Sequence, residues 1–320
     1  MRFLSTAVKS PLHIGSEDKM GTKKGIIFIL VAGILWGTIG IFVRSLNALG
    51  LEAMQLVFIR ALITAVVLLV GVLIYDRKLL KIKLRDLWCF IGTAILSILF
   101  FYYFYFVTIE KASLAVAAVL LYTAPIFVML MSLVLFKEKL TGKKITACAV
   151  AFAGCALVAG IFDGGGNVLS PAALLTGLLS GFGYALYSIF SRFALNKGYS
   201  SVTITVYTFV IALLCLLPFA DYDVIGAAIA AKPDTVVFAS LGLSIFVTVI
   251  PYLLYTAGLS TVNSSKASIM ASVEPVMACV VSVAVFHESM SFFGAVGIVL
   301  VIAAIILLNL QPHRGKGDIN

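Results

Sequence analysis

The sequence predicts an all-α membrane protein of ten transmembrane helices, arranged as two inverted five-helix repeats. Three observations support this fold class: the composition, the placement of the basic residues and an internal repeat. Of the 320 residues, 62% are hydrophobic and only 12% are charged, whereas soluble domains are about half apolar and about one quarter charged. The apolar residues also fall in long continuous runs, which are typical of segments that cross a bilayer.

Ten apolar segments are long enough to cross about 30 Å of hydrocarbon as helices. They cover residues 25–46, 52–75, 86–109, 112–136, 142–162, 171–193, 201–220, 235–259, 265–286 and 291–310. We predict a cytoplasmic tail at 1–24, a first repeat at 25–162, a linker at 163–170, a second repeat at 171–310 and a second tail at 311–320. The connections near residues 111–112 and 287–290 are short, and a merger at either place would change the number of spans.

The positions of the basic residues indicate an orientation. If ten spans alternate from a cytoplasmic N-terminus, 19 of the 23 lysines and arginines lie on the cytoplasmic side and three lie opposite, while Arg60 lies within a span. Such a bias follows the positive-inside rule. We therefore expect a multi-pass protein of the cytoplasmic membrane with both termini inside. Because the basic residues lie in short loops, the net charge of +9 does not indicate a nucleic-acid partner.

An internal repeat relates the two halves of the chain. An offset of 150 residues pairs Tyr102 with Tyr252, Pro125 with Pro275 and Glu138 with Glu288, and an offset of 148 pairs Trp36 with Tyr184 and Arg44 with Arg192. Because each half holds an odd number of predicted spans, the second half must lie upside down relative to the first. Inverted repeats are typical of alternating-access transporters, which bind their solute near the midplane between the halves.

Glu274 is the deepest carboxylate that the predicted spans contain. It lies about 13 Å along the ninth segment, and an ionisable residue at such depth is a functional candidate by default. We expect Glu274 to bind a substrate ammonium group or to take up a proton; the alternative is a protonated carboxyl that bonds a neighbouring helix. The prolines Pro125 and Pro275 are predicted helix breaks that would free backbone carbonyls.

Two basic residues are further candidates for substrate binding. Lys266 lies eight residues before Glu274 on the same side of the helix, so the pair could receive a zwitterion such as an amino acid. A lysine that only anchors the helix end is the alternative. Arg60, about nine residues into the second segment, could meet an anionic group of the solute or could pair with backbone carbonyls or a carboxylate of another helix.

Aromatic residues are predicted to line the cavity. Trp36 and Tyr184 lie near the centres of the first and sixth segments, and Tyr102 and Tyr252 occupy matched positions in the third and eighth. Their rings combine apolar area with a polar tip, which suits a site for solutes of mixed character. Tyrosines also gather at bilayer interfaces, which is the competing interpretation.

With these motifs, the chain resembles the EamA-like permeases of the drug/metabolite transporter superfamily. The residues that carry the resemblance are the two Pro…Glu helices, Ala124-Pro125 through Leu140 and Glu274-Pro275 through Glu288, with the Tyr102–Phe106 stretch and Trp36-Gly37. The resemblance covers about residues 25–310. It implies a helix-bundle carrier with a central cavity that moves amino acids or other small metabolites, often outward. It leaves the solute, the direction and the coupling ion open.

The sequence therefore predicts a secondary transporter whose partners are a small solute and the lipid bilayer, with protons as a candidate coupling ion. No Walker A motif is present, and His13, His287 and His313 lie outside the spans or at their edges. We accordingly expect no cofactor, no metal site and no catalytic residues. A membrane-embedded enzyme and a non-transporting receptor are the alternatives. A monomer and a homodimer are both compatible with the sequence.

Overall fold

The computed structural model describes residues 19–160 and 170–310, and in these ranges every regular element is helical. Nine helices of the described residues are long and apolar enough to cross a membrane: α1 Met20–Asn47, α2 Ala53–Tyr75, α3 Leu84–Lys111, α4 Leu114–Phe136, α6 Pro171–Asn196, α7 Ser201–Phe219, α8 Pro233–Leu259, α9 Ser264–Phe286 and α10 Phe292–Asn309. The all-α membrane fold that the sequence predicts is thereby confirmed.

The fifth predicted segment forms a shorter helix, α5, at Gly142–Val158. Its 17 residues span about 25 Å, so the number of ten membrane crossings stays a prediction. The predicted tail at 311–320 and most of the predicted linker lie outside the described residues. Helical structure begins at Lys19, within the predicted N-terminal tail, and residues 1–18 lie outside the described residues. A further short helix, Tyr222–Ala231, lies between the predicted segments 201–220 and 235–259.

The fifth helix of each half packs against its counterpart in the other half. A Cβ atom on Gly154 of α5 would lie 2.8 Å from the Gly297 carbonyl oxygen of α10, and one on Gly297 would lie 2.8 Å from the backbone nitrogen of Val158. Residues later in α5 therefore meet residues earlier in α10, as the contact of Gly154 with Val301 also shows. The two equivalent helices run antiparallel, which is the relation that an inverted repeat requires.

The remaining helices exchange partners between the halves. Helix α1 packs against α8 and α9, and α6 packs in the same way against α3 and α4. The first helix of each half thus lies in the angle between the third and fourth helices of the other half. This exchange brings residues that are far apart in sequence to the middle of the bundle.

Several helices are interrupted in this central region. Helix α4 consists of α4a, Leu114–Leu121, and α4b, Ala124–Phe136, and helix α9 consists of α9a, Ser264–Ala271, and α9b, Val273–Phe286. Each break comes just before a proline of the repeat, Pro125 or Pro275. Helices α3 and α8 contain π-helical segments at Gly92–Leu99 and Ile245–Val249. The two segments overlap when α3 and α8 are aligned at the 150-residue offset. Segments of this kind are frequent at functional sites.

Candidate functional site

Arg60 lies in the interior of the bundle with 6% of its surface exposed. Its Nε donates to the Thr248 hydroxyl of α8 at 3.0 Å, and its Nη1 donates to the Tyr102 hydroxyl of α3. Both partners are neutral, and no carboxylate of the described residues forms an ion pair with this guanidinium. The remaining N–H groups and the positive charge of Arg60 are therefore available to an anionic group.

Glu274 lies in the first turn of α9b, directly after the break in α9. The N-terminus of a helix favours a negative charge, because its first N–H groups have no partner within the helix. The Tyr184 hydroxyl of α6 donates to Glu274 Oε2 at 3.2 Å. Like Arg60, Glu274 has no partner of opposite charge within 4.0 Å in the part of the chain that the structure describes.

An aromatic cluster adjoins both charged residues, since Tyr252 lines one cavity with Arg60 and another with Tyr184, the hydrogen-bond partner of Glu274. The Trp36 ring of α1 lies 5.4 Å from Tyr252 and 5.3 Å from Tyr255, and Tyr187 lies 5.0 Å from Tyr252. Two of the hydroxyls are also paired, since Tyr187 bonds Thr256 at 2.8 Å and Tyr255 bonds Ser188 at 2.7 Å. The cluster thus combines apolar ring faces with polar tips.

Two adjoining cavities flank this cluster. Arg60, Tyr102 and Phe209 line the first, Trp36 and Tyr184 line the second, and Ile98 and Tyr252 belong to both. The volume of the second is about 20 Å³, which is room for a single water molecule. An organic solute therefore requires the helices around these cavities to separate.

The structure places most of the predicted binding residues together. Arg60, Tyr102, Tyr252, Trp36 and Tyr184 line the two cavities, and Glu274 is bonded to one of the lining side chains. Lys266, by contrast, lines neither cavity. It lies half-buried in α9a, within electrostatic reach of Lys143 and Lys144 at the start of α5.

Phe209, Ser97 and Ile98 are among the lining residues that were not assigned to the site from the sequence. Phe209 lies in α7, and its ring lies 5.0 Å from that of Tyr252. Ser97 and Ile98 lie in the π-helical segment of α3. Nothing in the local sequence distinguishes Phe209, Ser97 or Ile98 from other residues of an apolar run.

Comparisons with known proteins agree with this architecture. The model of the EamA-like transporter family matches residues 23–160 and again residues 171–310. A solved crystal structure superposes with a TM-score of 0.72 over 90% of this chain and 96% of its own, at 17% sequence identity. At that identity the superposition supports the fold alone.

Several relatives carry transporter names. An uncharacterized transporter of Archaeoglobus fulgidus is 25% identical over 92% of this chain and its own full length. One of Clostridium kluyveri is 28% identical over 93% of this chain and 96% of its own. The uncharacterized inner membrane transporter YicL of Salmonella typhimurium is 24% identical over 92% of this chain and 97% of its own.

The helical bundle and its central cavities define a polytopic protein of the membrane transporter class. The chain belongs to the EamA-like transporter family, whose model covers both of its halves.

Proposed function

We propose that this protein is a secondary transporter of the cytoplasmic membrane that carries small zwitterionic solutes, above all amino acids, by alternating access. The observation that supports this substrate class is the pair of interior charges, Arg60 and Glu274. Each of them hydrogen-bonds only neutral hydroxyls among the described residues. A guanidinium and a carboxylate next to an aromatic cluster form a complement to the two charges of an amino acid.

The energetics favour a charged solute at each position. A buried charge without an opposite partner is unfavourable, because protein dipoles replace only part of its hydration. A solute carboxylate could bind the free N–H groups of Arg60 in a two-point arrangement. A solute ammonium group could meet Glu274 and the faces of the neighbouring aromatic rings. Lys266, which lines neither cavity, is the weaker candidate for the cationic role.

The alternating-access part of the proposal rests on the inverted packing of the halves. Antiparallel counterparts give the protein two similar ways to close around the central cavities, one at each membrane face. Protons are the candidate coupling ion, because Glu274 could bind a proton in place of the solute ammonium. The excess of basic residues on one side supports cytoplasmic termini.

Reciprocal variants test this substrate assignment in proteoliposomes. We expect the wild-type protein to take up an amino acid in preference to its amide, which lacks the carboxylate, and to its deaminated acid, which lacks the ammonium. The Arg60→Gln variant should lose discrimination against the amide, and Glu274→Gln should lose discrimination against the acid. Uptake of the amino acid should fall at least about tenfold in each, as expected for losing one charged partner.

The matched control is Arg77→Gln, which removes an exposed arginine that bonds the Leu73 carbonyl. Its uptake should equal that of the wild type. Equal uptake of all three compounds by the wild type, or unchanged discrimination in both interior variants, would contradict the proposed substrate class.

A further inference from the structure

At one end of the bundle, the carboxylate of Glu138 in the loop after α4b reaches the N-terminus of α9a. Its Oε1 accepts from the backbone N–H of Ser264 at 2.9 Å, and its Oε2 accepts from the N–H of Ser265 at 3.4 Å and from the Ser265 hydroxyl. The first N–H groups of a helix have no partner within it, so an external carboxylate stabilises that end. The N-cap residue, Asn263, forms no side-chain hydrogen bond there.

Arg192 of α6 completes this group from a third helix. Its Nε donates to the Ser264 hydroxyl at 3.1 Å, and its Nη2 donates to the Val262 carbonyl. The side chain of Glu138 is 9% exposed, and Arg192 is 7% exposed. We call Glu138, Arg192, Ser264 and Ser265 the Glu138 latch. It joins both halves of the protein in a buried network of charge-assisted hydrogen bonds.

The equivalent group at the other end of the bundle is open. Glu288 accepts from Arg44 Nη1 at 2.6 Å and from the Ser282 hydroxyl, with 45% of the glutamate and 50% of the arginine side chain exposed. No bond of Glu288 reaches α4a within the described residues. Helix α4a is instead capped by its own Ser113, whose hydroxyl accepts from the N–H of Val116 at 3.2 Å.

The burial of equivalent segments shows the same difference. Seven of the eight residues of α9a are buried, against four of eight in α4a, where Leu114 is 63% exposed. Tyr252 is 7% exposed, whereas Tyr102 is half-buried. Equivalent positions of an inverted repeat have similar lipid surroundings, so their unequal burial reflects unequal packing. The structure is closed at the Glu138 end and looser at the Glu288 end.

The sequence gives the closed Glu138 end more stabilising hydrogen bonds than a closed Glu288 end can form. The offset of 150 residues puts Leu114 and Ala115 in the positions of Ser264 and Ser265. When the Glu288 end closes, its glutamate therefore meets a helix that has no hydroxyl donors at these two positions and already carries a cap. Fewer charge-assisted bonds form there than in the Glu138 latch.

We propose that the Glu138 latch is a gate of the transporter and that its extra hydrogen bonds make the empty protein rest closed at the Glu138 end. This inference rests on the alternating-access function proposed above. Glu138 acts as a positioning residue, because it holds α9a and does not line the cavities. Solute binding, or another source of free energy, must then offset the stabilisation by the Glu138 latch before the Glu138 end opens.

Thiol labelling of the cavity tests this gate without any solute. Ser97 lines the second cavity, and Ser97→Cys introduces a small reporter whose modification is read by mass spectrometry of its own peptide. A membrane-impermeant reagent is applied to spheroplasts or to inside-out vesicles. With Glu138 intact, we expect the thiol introduced at position 97 to react faster from the side on which Glu288 lies.

Adding Glu138→Gln should raise the labelling rate from the Glu138 side at least about tenfold, and Ser265→Ala should raise it in the same direction. The matched Glu288→Gln variant should not raise it. An unchanged rate in both latch variants, or an equal rise in Glu288→Gln, would overturn the proposal. Because Ser265→Ala is conservative, it provides the answer even if Glu138→Gln does not fold.

The outcome is separate from that of the uptake assay. A protein that transports no amino acid but shows the labelling shift retains the gate and refutes the proposed substrate class. A protein that transports amino acids without the labelling shift refutes the gate alone.

Discussion

Two interior charges, Arg60 and Glu274, are the residues on which the proposed binding site depends. Both are recognisable in the sequence, because an ionisable residue deep in an apolar run is energetically costly and is therefore a functional candidate. Their partners are not recognisable, since Thr248 and Tyr184 lie 188 and 90 residues away along the chain. In the structure, the hydrogen bonds of Arg60 go to hydroxyls of α3 and α8, and within the described residues neither a carboxylate nor a backbone carbonyl hydrogen-bonds it.

At the exposed end of the bundle, Arg44 and Glu288 allow a prediction about pH. The hydrogen bond from Arg44, together with that from Ser282, lowers the pKa of Glu288 below its usual value of 4.5. A lowered pKa stabilises the folded state above the pKa of the unfolded chain, and this contribution is lost as the pH falls through the folded value. The pair is exposed, so the effect on stability should be small.

We expect the Arg44→Gln variant to melt slightly below the wild type in detergent at neutral pH. That difference should stay constant down to about pH 5, shrink once the pH falls below the usual pKa of a glutamate, and vanish below the lowered pKa of Glu288 in the folded protein. Thermal melts of both proteins across this range measure it, with Arg77→Gln as a control at an arginine that bonds a backbone carbonyl. A difference that does not change with pH would contradict the assignment.

At the scale of elements, helix breaks and close helix pairs determine how the bundle is built. The sequence predicted breaks at Pro125 and Pro275, and in the structure each proline lies in the first turn of the half-helix that follows a break. The fixed backbone angle of proline suits a helix start. The π-helical segments of α3 and α8 were not foreseen, because they depend on packing against other helices and have no residue signature of their own.

The contact between α5 and α10 gives a second prediction. A Cβ on Gly154 would lie 2.8 Å from the Gly297 carbonyl oxygen, closer than packed atoms tolerate, so the helices must separate. Gly154→Ala should destabilise the fold by about 1–3 kcal/mol. The control is Gly71→Ala on α2, where a Cβ meets nothing within 4 Å.

Melting points at one heating rate compare the two alanine variants. The Gly154 variant should melt several degrees below the wild type, and the Gly71 variant should melt at the same temperature or slightly above it, because alanine favours helix. Equal melting points for both variants would mean that α5 and α10 do not pack as closely as the structure shows.

At the scale of the whole molecule, the inverted repeat decides which ends of the helices lie on the same side of the membrane. Lys139 and Ser289 occupy equivalent positions, one residue after the paired glutamates. If both halves hold an odd number of crossings, these two residues lie on opposite sides. Helix α5 is short, and if it does not cross the membrane, Lys139 and Ser289 lie on the same side.

We expect Lys139→Cys to react with an impermeant thiol reagent in inside-out vesicles and Ser289→Cys to react in spheroplasts. Each single variant serves as the control for the other, and lysed membranes give the full extent of labelling. Labelling of both positions from the same side would remove the inverted topology and the alternating-access proposal together.

The sequence by itself determined the membrane class, the helical fold, the relation between the halves and five of the residues that line the cavities. These features follow from hydrophobicity, charge and internal similarity, which are properties of residue order. Only the tertiary structure decided that Lys266 lies away from the cavities, that Phe209 lines one of them, and that the Glu138 end is closed while the Glu288 end is looser. The physical reason is that such facts depend on contacts between distant helices, and a repeat that is nearly symmetric in sequence can still pack unequally at its two ends.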